Sequence, residues 1–168
     1  MMIRLPTLRL HVACIAVLAV AGLSGCFGGD KPSEPMPARL DVATIADAQM
    51  NPDLDGRPSP LLIRLYALRA KDSFEAADFF ALYDKDEQVL GGDLVRREEF
   101  ILQPGQTQVL PREYAPDIGF IAVMAAYRDV ERSTWRSLIP LPAGATGVLA
   151  INAGASAITL SHETSDSK

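Results

Sequence analysis

The chain has 168 residues, 48% of them hydrophobic and 22% charged, with a formal net charge of −5. This length accommodates one domain, and the high hydrophobic content excludes an intrinsically disordered protein. The acidic balance removes the basic surface on which nucleic-acid binding depends, so we expect no nucleic-acid partner.

The N-terminal segment is typical of a bacterial lipoprotein signal peptide. Arg4 and Arg9 supply positive charge, and residues 12–23 are apolar or small and carry no charge. This stretch is too short to cross a hydrocarbon core of ~30 Å but suits a secretory signal. Residues 23–26, Leu-Ser-Gly-Cys, form a lipobox, which predicts cleavage after Gly25 and lipidation of Cys26. An ordinary signal peptide that happens to contain a cysteine is the alternative.

The predicted domain organisation follows from this signal. We expect a signal peptide over residues 1–25, a lipidated flexible tether over 26–38, a folded domain over 39–162 and a disordered tail over 163–168. Three prolines and two glycines among residues 28–37 favour a tether and not a strand.

The cysteines indicate how the domain is stabilised and where the protein resides. Cys14 leaves with the signal peptide and Cys26 carries lipid, so no disulfide can form and a hydrophobic core must hold the domain together. Phe27 follows the lipidated cysteine in place of the aspartate that retains lipoproteins in the inner membrane. We therefore expect a protein that is lipid-anchored in the outer membrane and faces the periplasm.

Apolar alternation and short apolar runs predict strands along most of the remaining chain. The predicted strands are 39–49, 60–69, 100–102, 107–110, 118–127, 134–141, 147–152 and 157–162. Pro104-Gly105 indicates a type II turn, and residues 153–155 indicate a hairpin between the last two strands.

One stretch has helical periodicity instead. Residues 73–83 are apolar at intervals of three and four, which predicts a helix with Ser73 as its N-cap. A second helical turn is predicted within 92–99. Many short strands with one helical insertion after the second strand predict a mainly β fold, a β-sandwich of seven to eight strands.

The residues needed for catalysis are scarce. Once the signal peptide is removed, His162 is the remaining histidine, which disfavours an envelope hydrolase with a Ser-His-Asp site and a zinc site. Nucleotide-binding glycine motifs are absent from the sequence. The carboxylate pairs at 84 and 86 and at 98 and 99 lie in charged stretches that we expect to be solvated. We therefore predict no catalytic residue, cofactor or metal.

The loop between the first two predicted strands, residues 51–59, is rich in Asn, Asp, Gly and Pro. It begins like an EF-hand calcium loop, but Leu62 occupies the twelfth position and strands flank it. From the residues alone, a plain surface turn is the first interpretation. Two prolines between its polar residues limit its disorder, which also suits a binding loop.

Trp135 is the one tryptophan of the chain. It could anchor an interface, where tryptophan is enriched. The stronger interpretation is a core residue of the sandwich, with Arg136 directed to solvent by strand alternation.

Several short motifs, together with the lipobox, resemble the type VI secretion system outer-membrane lipoproteins of the TssJ (VasD/SciN) family. The number, order and spacing of the motifs carry the resemblance, which covers residues 40 to 160. In chain order the matches are Asn51-Pro52-Asp53, Gly56 to Pro60, Tyr66 to Leu68, Phe74, Ala77 to Phe79, Leu82, Leu90-Gly91, Asp93-Leu94, Pro104-Gly105, Ala125 to Asp129 and Trp135-Arg136.

The resemblance implies a transthyretin-like two-sheet β-sandwich that is not an enzyme and takes no small-molecule substrate. It implies a partner, the periplasmic C-terminal region of the inner-membrane protein TssM, and through it TssL in an envelope-spanning complex. In the family, the loop joining the first two strands is tied to TssM docking. The candidate partner-binding residues are therefore Asn51, Pro52, Asp53, Leu54, Asp55, Gly56, Arg57, Pro58 and Ser59.

Two alternatives remain at this point. The same sandwich could serve as a ligand-binding or chaperone-like module of a periplasm-facing lipoprotein, because a fold does not fix a function. The helical insertion at 73–83 could also dominate the interface in place of the loop.

Overall fold

The structure, a computed structural model, describes residues 36–165. The predicted signal peptide, Cys26 and nearly all of the predicted tether lie outside the described residues. The elements in chain order are β1 (Ala38–Ala46), β2 (Leu61–Leu68), α1 (Asp72–Ala76), α2 (Phe79–Leu90), β3 (Leu94–Leu102), β4 (Thr107–Tyr114), β5 (Phe120–Ala125), β6 (Arg136–Pro140), β7 (Thr146–Ala153) and β8 (Ile158–Glu163), with short 3-10 turns at Gly91–Asp93 and Val130–Arg132.

The eight strands form two four-stranded sheets. The first sheet has the order β4-β1-β7-β8 and the second has the order β3-β2-β5-β6. Strands β1 and β7 pair in parallel, and the other neighbours pair antiparallel. The predicted mainly β sandwich of seven to eight strands, with a helical insertion after the second strand, is confirmed.

The two hydrophobic clusters explain why the central strands of the second sheet are apolar on both faces. One cluster lies between the sheets and includes Leu40, Ile63 and Leu149. The other lies between the second sheet and the two helices and includes Tyr66 and Phe74. Because β2 and β5 contribute to both clusters, their sequences read as continuous apolar runs and not as alternating ones.

The helical insertion differs from the prediction in two respects. It is two helices, because Ala77 is extended (ψ 143°) and the chain restarts at Asp78, whose carboxylate accepts from the Ala81 N–H at 2.8 Å. Ser73 makes no capping bond; its hydroxyl donates instead to Asp93 at 2.6 Å. The predicted single helix with Ser73 as its cap was therefore wrong in its boundaries.

The prediction of a helical turn within residues 92–99 was also wrong over most of that range. Only Gly91–Asp93 form a 3-10 turn, and Leu94–Leu102 form β3 at the edge of the second sheet. The charged run from Arg96 to Glu99 carries no strand alternation. Its extended conformation comes from hydrogen bonding along β2, a partner distant in sequence.

Trp135 and Arg136 join the helices to the sandwich. The half-buried Trp135 ring packs against both clusters and meets the Phe79 ring edge-on at 5.4 Å between centroids. The Arg136 guanidinium lies 4.8 Å from the Trp135 ring and donates to the carbonyls of Phe74 (2.9 Å) and Ala77 (2.7 Å). The prediction that Arg136 faces solvent was wrong, because it satisfies carbonyls left open at the end of α1.

The strand directions show which turns and loops lie at each end of the sandwich. The chain enters at Met36, and β1 then runs for nine residues, or ~30 Å, before the segment that holds residues 51–59. The 103–106 turn, residues 126–135 and the 154–157 turn lie at this same far end, since β3, β5 and β7 end there.

Strand β8 reaches Glu163, which the sequence analysis had assigned to the disordered tail. In the described part of the chain, helices are too short or too polar to cross a membrane.

Candidate partner-binding site

The nine predicted loop residues divide into a buried base and an exposed tip. Asn51 and Ser59, the first and last of the nine, are only 4% and 6% exposed. The residues between them are exposed, except for the half-buried Asp53. Leu54 is fully exposed at the tip of the loop. A fully exposed leucine is a suitable apolar contact for a partner surface.

The charges of the loop pair with one another. The Asp53 carboxylate accepts from the backbone N–H groups of Asp55 and Arg57, both at 2.9 Å. The Arg57 guanidinium donates to Asp53 at 3.0 Å and to Asp55 at 2.7 Å. These bonds, chiefly that from the Arg57 backbone, hold the pKa of Asp53 below its ordinary value. They support the loop conformation at neutral pH, and the support is lost as the pH falls through that lowered pKa.

Asn51 ties the loop to two other segments at the far end of the sandwich. Its side-chain oxygen accepts from the Arg128 N–H and its amide nitrogen donates to the Pro60 carbonyl, both at 2.9 Å. Its backbone N–H donates to the Ala155 carbonyl at 3.1 Å. Asn51 has a φ of +50°, a conformation that asparagine tolerates better than most residues. Asn51 therefore lies beneath the exposed tip of the loop and holds its base in place.

Replacing Asn51 with alanine is expected to lower the free energy of unfolding by about 2–3 kcal/mol. The change leaves the Arg128 N–H and the Pro60 carbonyl without their partner and places alanine in a left-handed conformation. Urea denaturation measures the effect. Asn152→Ala is the matched control, because Asn152 is half-exposed and its side chain makes no hydrogen bond within the described residues. Equal stability of the two variants would contradict this role for Asn51.

A groove of about 740 Å³ runs beside the loop. Residues 51–55 form one wall, Tyr127 to Asp129 form the other, and Ser133, Ala155 and Ser156 complete the lining. The Tyr127 hydroxyl donates to the Gly154 carbonyl at 3.2 Å, and burial raises the pKa of Tyr127. The phenol therefore stays neutral and fixes this wall of the groove.

Sequence reasoning did not identify the second wall as part of the site. Residues 125–129 were noted because they match a family motif, and no local pattern placed them beside the loop. The contact between Asn51 and Arg128 joins residues 77 positions apart. Only the fold brings the two walls together.

The alternative surface on the helices is also exposed. Phe80 is 65% exposed and Tyr83 is 39% exposed on α2, and both rings contact Phe79.

Among the described residues there is no group of three or more His, Cys, Asp or Glu side chains placed to hold a metal ion. His162 lies at the end of β8, where a ring nitrogen is 3.0 Å from the Thr146 carbonyl oxygen.

The fold has counterparts in solved structures. The T6SS lipoprotein TssJ1 from Pseudomonas aeruginosa matches with 37% identity and a TM-score of 0.74, over 77% of this chain and 98% of that one. Serratia marcescens Lip, a membrane-bound component of the type VI secretion system, matches with 32% identity and a TM-score of 0.67, over 74% of this chain and 97% of that one. A comparison with curated proteins finds no match.

A more distant match shares the fold alone. It is a chain from the structure of the T6SS protein TssM C-terminal domain from EAEC, with 23% identity and a TM-score of 0.59, over 74% of this chain and 98% of that one. The family model for type VI secretion lipoproteins (T6SS-SciN; VasD, EvfM, TssJ) matches residues 38–156, which include every strand except β8. This chain therefore belongs to the TssJ family of type VI secretion lipoproteins.

Proposed function

We propose that this protein is a structural, non-enzymatic lipoprotein of the type VI secretion membrane complex. Lipid on Cys26 anchors it in the outer membrane, facing the periplasm. The loop at 51–59 binds the periplasmic C-terminal region of TssM, and TssM links the protein to TssL. The distant likeness to a chain of a TssM C-terminal domain structure is consistent with this partner.

The observation that carries the proposal is the position of the loop. The chain enters the sandwich at Met36, and the loop lies at the opposite end of β1. A domain tethered by its N-terminus thus presents the loop away from the outer membrane and toward the periplasm. An inner-membrane protein approaches from that side.

The internal bonding of the loop favours binding. Asp53 and Arg57 fix the turn, and Asn51 and Ser59 hold its base. A loop that is already ordered loses little conformational entropy when a partner binds. We propose that residues 52–58 make the contacts and that Asn51 and Ser59 support them from below.

Replacing residues 52–58 with a short Gly-Ser link is expected to weaken TssM binding at least ~10-fold, or ~1.4 kcal/mol. The measurement is calorimetric titration of the full-length lipidated protein, in detergent, against the periplasmic region of TssM. The domain should stay folded, because the replaced residues are exposed or half-buried and closure entropy depends only weakly on loop length.

The matched control changes the opposite end of the sandwich. Pro142→Gly with Ala143→Ser alters two exposed turn residues near Met36 and should leave the affinity unchanged. If the loop variant keeps both its affinity and a normal melting curve, the loop is not the binding site. The exposed face of α2 around Phe80 and Tyr83 would then be the next surface to test.

A further inference from the structure

The ten arginines of the described residues differ in whether the guanidinium group has a bonding partner. Nine of the ten make an ion pair or hydrogen bond through the guanidinium group, and Arg128 makes neither within the described chain. Arg128 is exposed and lines the groove beside the loop. Its charge is therefore available to another molecule.

We propose that Arg128 is a specificity-determining residue of the partner-binding surface, where it pairs with a carboxylate of the protein seated on the loop. This inference rests on the proposed function, because it assigns a charged contact to the same site. The expected partner surface has an apolar recess for Leu54 beside an acidic side chain for Arg128.

The backbone of Arg128 is held in place before any partner arrives. Its backbone N–H donates to the buried side chain of Asn51 at 2.9 Å, and Tyr127 beside it is held by a bond to Gly154. Arg128 also contributes, as a minor cause, to the lowered pKa of Asp53, so its charge lies near the loop across the groove. Arginine is enriched among the residues that dominate the binding energy of protein interfaces.

The neighbouring charges are less able to select a partner. Asp53 and Asp55 both pair with Arg57 within the loop, which leaves these three residues with one net negative charge. Asp129 lies 3.6 Å from Arg132. Among the charged residues that line the groove, Arg128 is the one without an ion-pair partner in the described chain, so it can pair with a carboxylate of the partner protein.

The test compares charge reversals at the two ends of the sandwich. Arg128→Glu is expected to weaken binding of the TssM periplasmic region at least ~30-fold, and Arg128→Ala ~10-fold with a smaller dependence on salt. Arg39→Glu makes the same change in net charge at an exposed residue of the opposite end and should alter the affinity less than ~3-fold. The measurement is titration of the full-length lipidated protein in detergent, at two salt concentrations.

The outcomes separate this inference from the proposed function. If wild-type protein does not bind TssM, the proposed partner is wrong and so is the role of Arg128. If the loop replacement weakens binding while Arg128→Glu binds like wild type, the proposed function stands and the role of Arg128 is wrong. Equal losses for Arg128→Glu and Arg39→Glu would indicate only general charge attraction and would also overturn it.

A second measurement identifies the opposing carboxylate. Single Asp→Lys and Glu→Lys variants of the TssM region are titrated against Arg128→Glu. We expect one of them to recover at least ~10-fold of the lost affinity, because the ion pair is restored with its charges exchanged. Recovery by none of them would contradict a direct pair. Unchanged melting curves for Arg128→Ala and Arg128→Glu are expected, because the guanidinium has no bonding partner in the described domain.

Discussion

Asp86→Ala is expected to lower the free energy of unfolding by about 3–5 kcal/mol, the largest loss of stability among the changes considered. Asp86 is 4% exposed. Its carboxylate accepts from Arg97 at 3.0 Å, from the Tyr66 hydroxyl at 3.0 Å and from Arg64 at 3.3 Å. Removing it leaves two arginines without their common counter-charge beneath α2.

The same group of side chains holds α2 on the second sheet. Arg64 projects from β2, donates to the α2 carbonyls of Leu82 (3.0 Å) and Tyr83 (2.7 Å) and pairs with Glu99 at 2.6 Å. Burial, and then the Asp86 carboxylate, raise the pKa of Tyr66, so its hydroxyl remains a donor. We expect Asp86→Ala to loosen the helix as well as to destabilise the domain.

Urea denaturation of the variant and of Asp84→Ala provides the comparison. Asp84 is exposed on the same helix and has no side-chain bond within the described residues, so its replacement should change stability by less than ~0.5 kcal/mol. If both variants unfold at the same urea concentration as wild type, the buried ion pairs do not stabilise the helix on the sheet.

Cys26→Ser is expected to remove the protein from the outer-membrane fraction completely and to abolish type VI secretion. Burial of acyl chains contributes ~0.8 kcal/mol per CH₂, so a lipoprotein anchor with several chains holds firmly and its loss cannot be offset by weak contacts. The domain should melt at the wild-type temperature, because β1 begins only at Ala38. Membrane fractionation, a secretion assay and a melting curve measure the three effects.

Cys14→Ser is the matched control for the anchor. Cys14 lies inside the apolar stretch of the predicted signal peptide, before the lipobox. This variant should remain in the outer membrane and support secretion. A Cys26→Ser protein that stays in the membrane fraction and still secretes would contradict lipid anchoring at this residue.

Prediction from the sequence succeeded where the signal is local. The apolar patterns of β2, β5, β7 and β8 are strong, because buried strands need apolar side chains whatever their neighbours are. The Pro104-Gly105 turn and the helical periodicity after β2 are local in the same sense. These features were enough to predict the fold class, although the first six residues of β3 (94–99) and the break at Ala77 were missed.

The burial of charged side chains could not be predicted from the local sequence. Asp84 and Asp86 lie two positions apart, and we expected both to be solvated. The structure leaves Asp84 exposed and buries Asp86, because Asp86 meets Arg64, Tyr66 and Arg97, all brought there by strand pairing. The expectation of a solvated Asp86 was wrong for that reason.

The sequence by itself determined the fold class of this protein, its resemblance to the TssJ family and the loop at 51–59 as a candidate site. The tertiary structure decided which loop residues are exposed, that the charged side chains of the loop pair with one another, and that Arg128 lies across the groove without an ion-pair partner among the described residues. The environment of a polar side chain depends on groups that are distant in the chain, such as Asn51 and Arg128 at a separation of 77 residues. Such contacts cannot be predicted from local sequence patterns, because they form only when the chain folds.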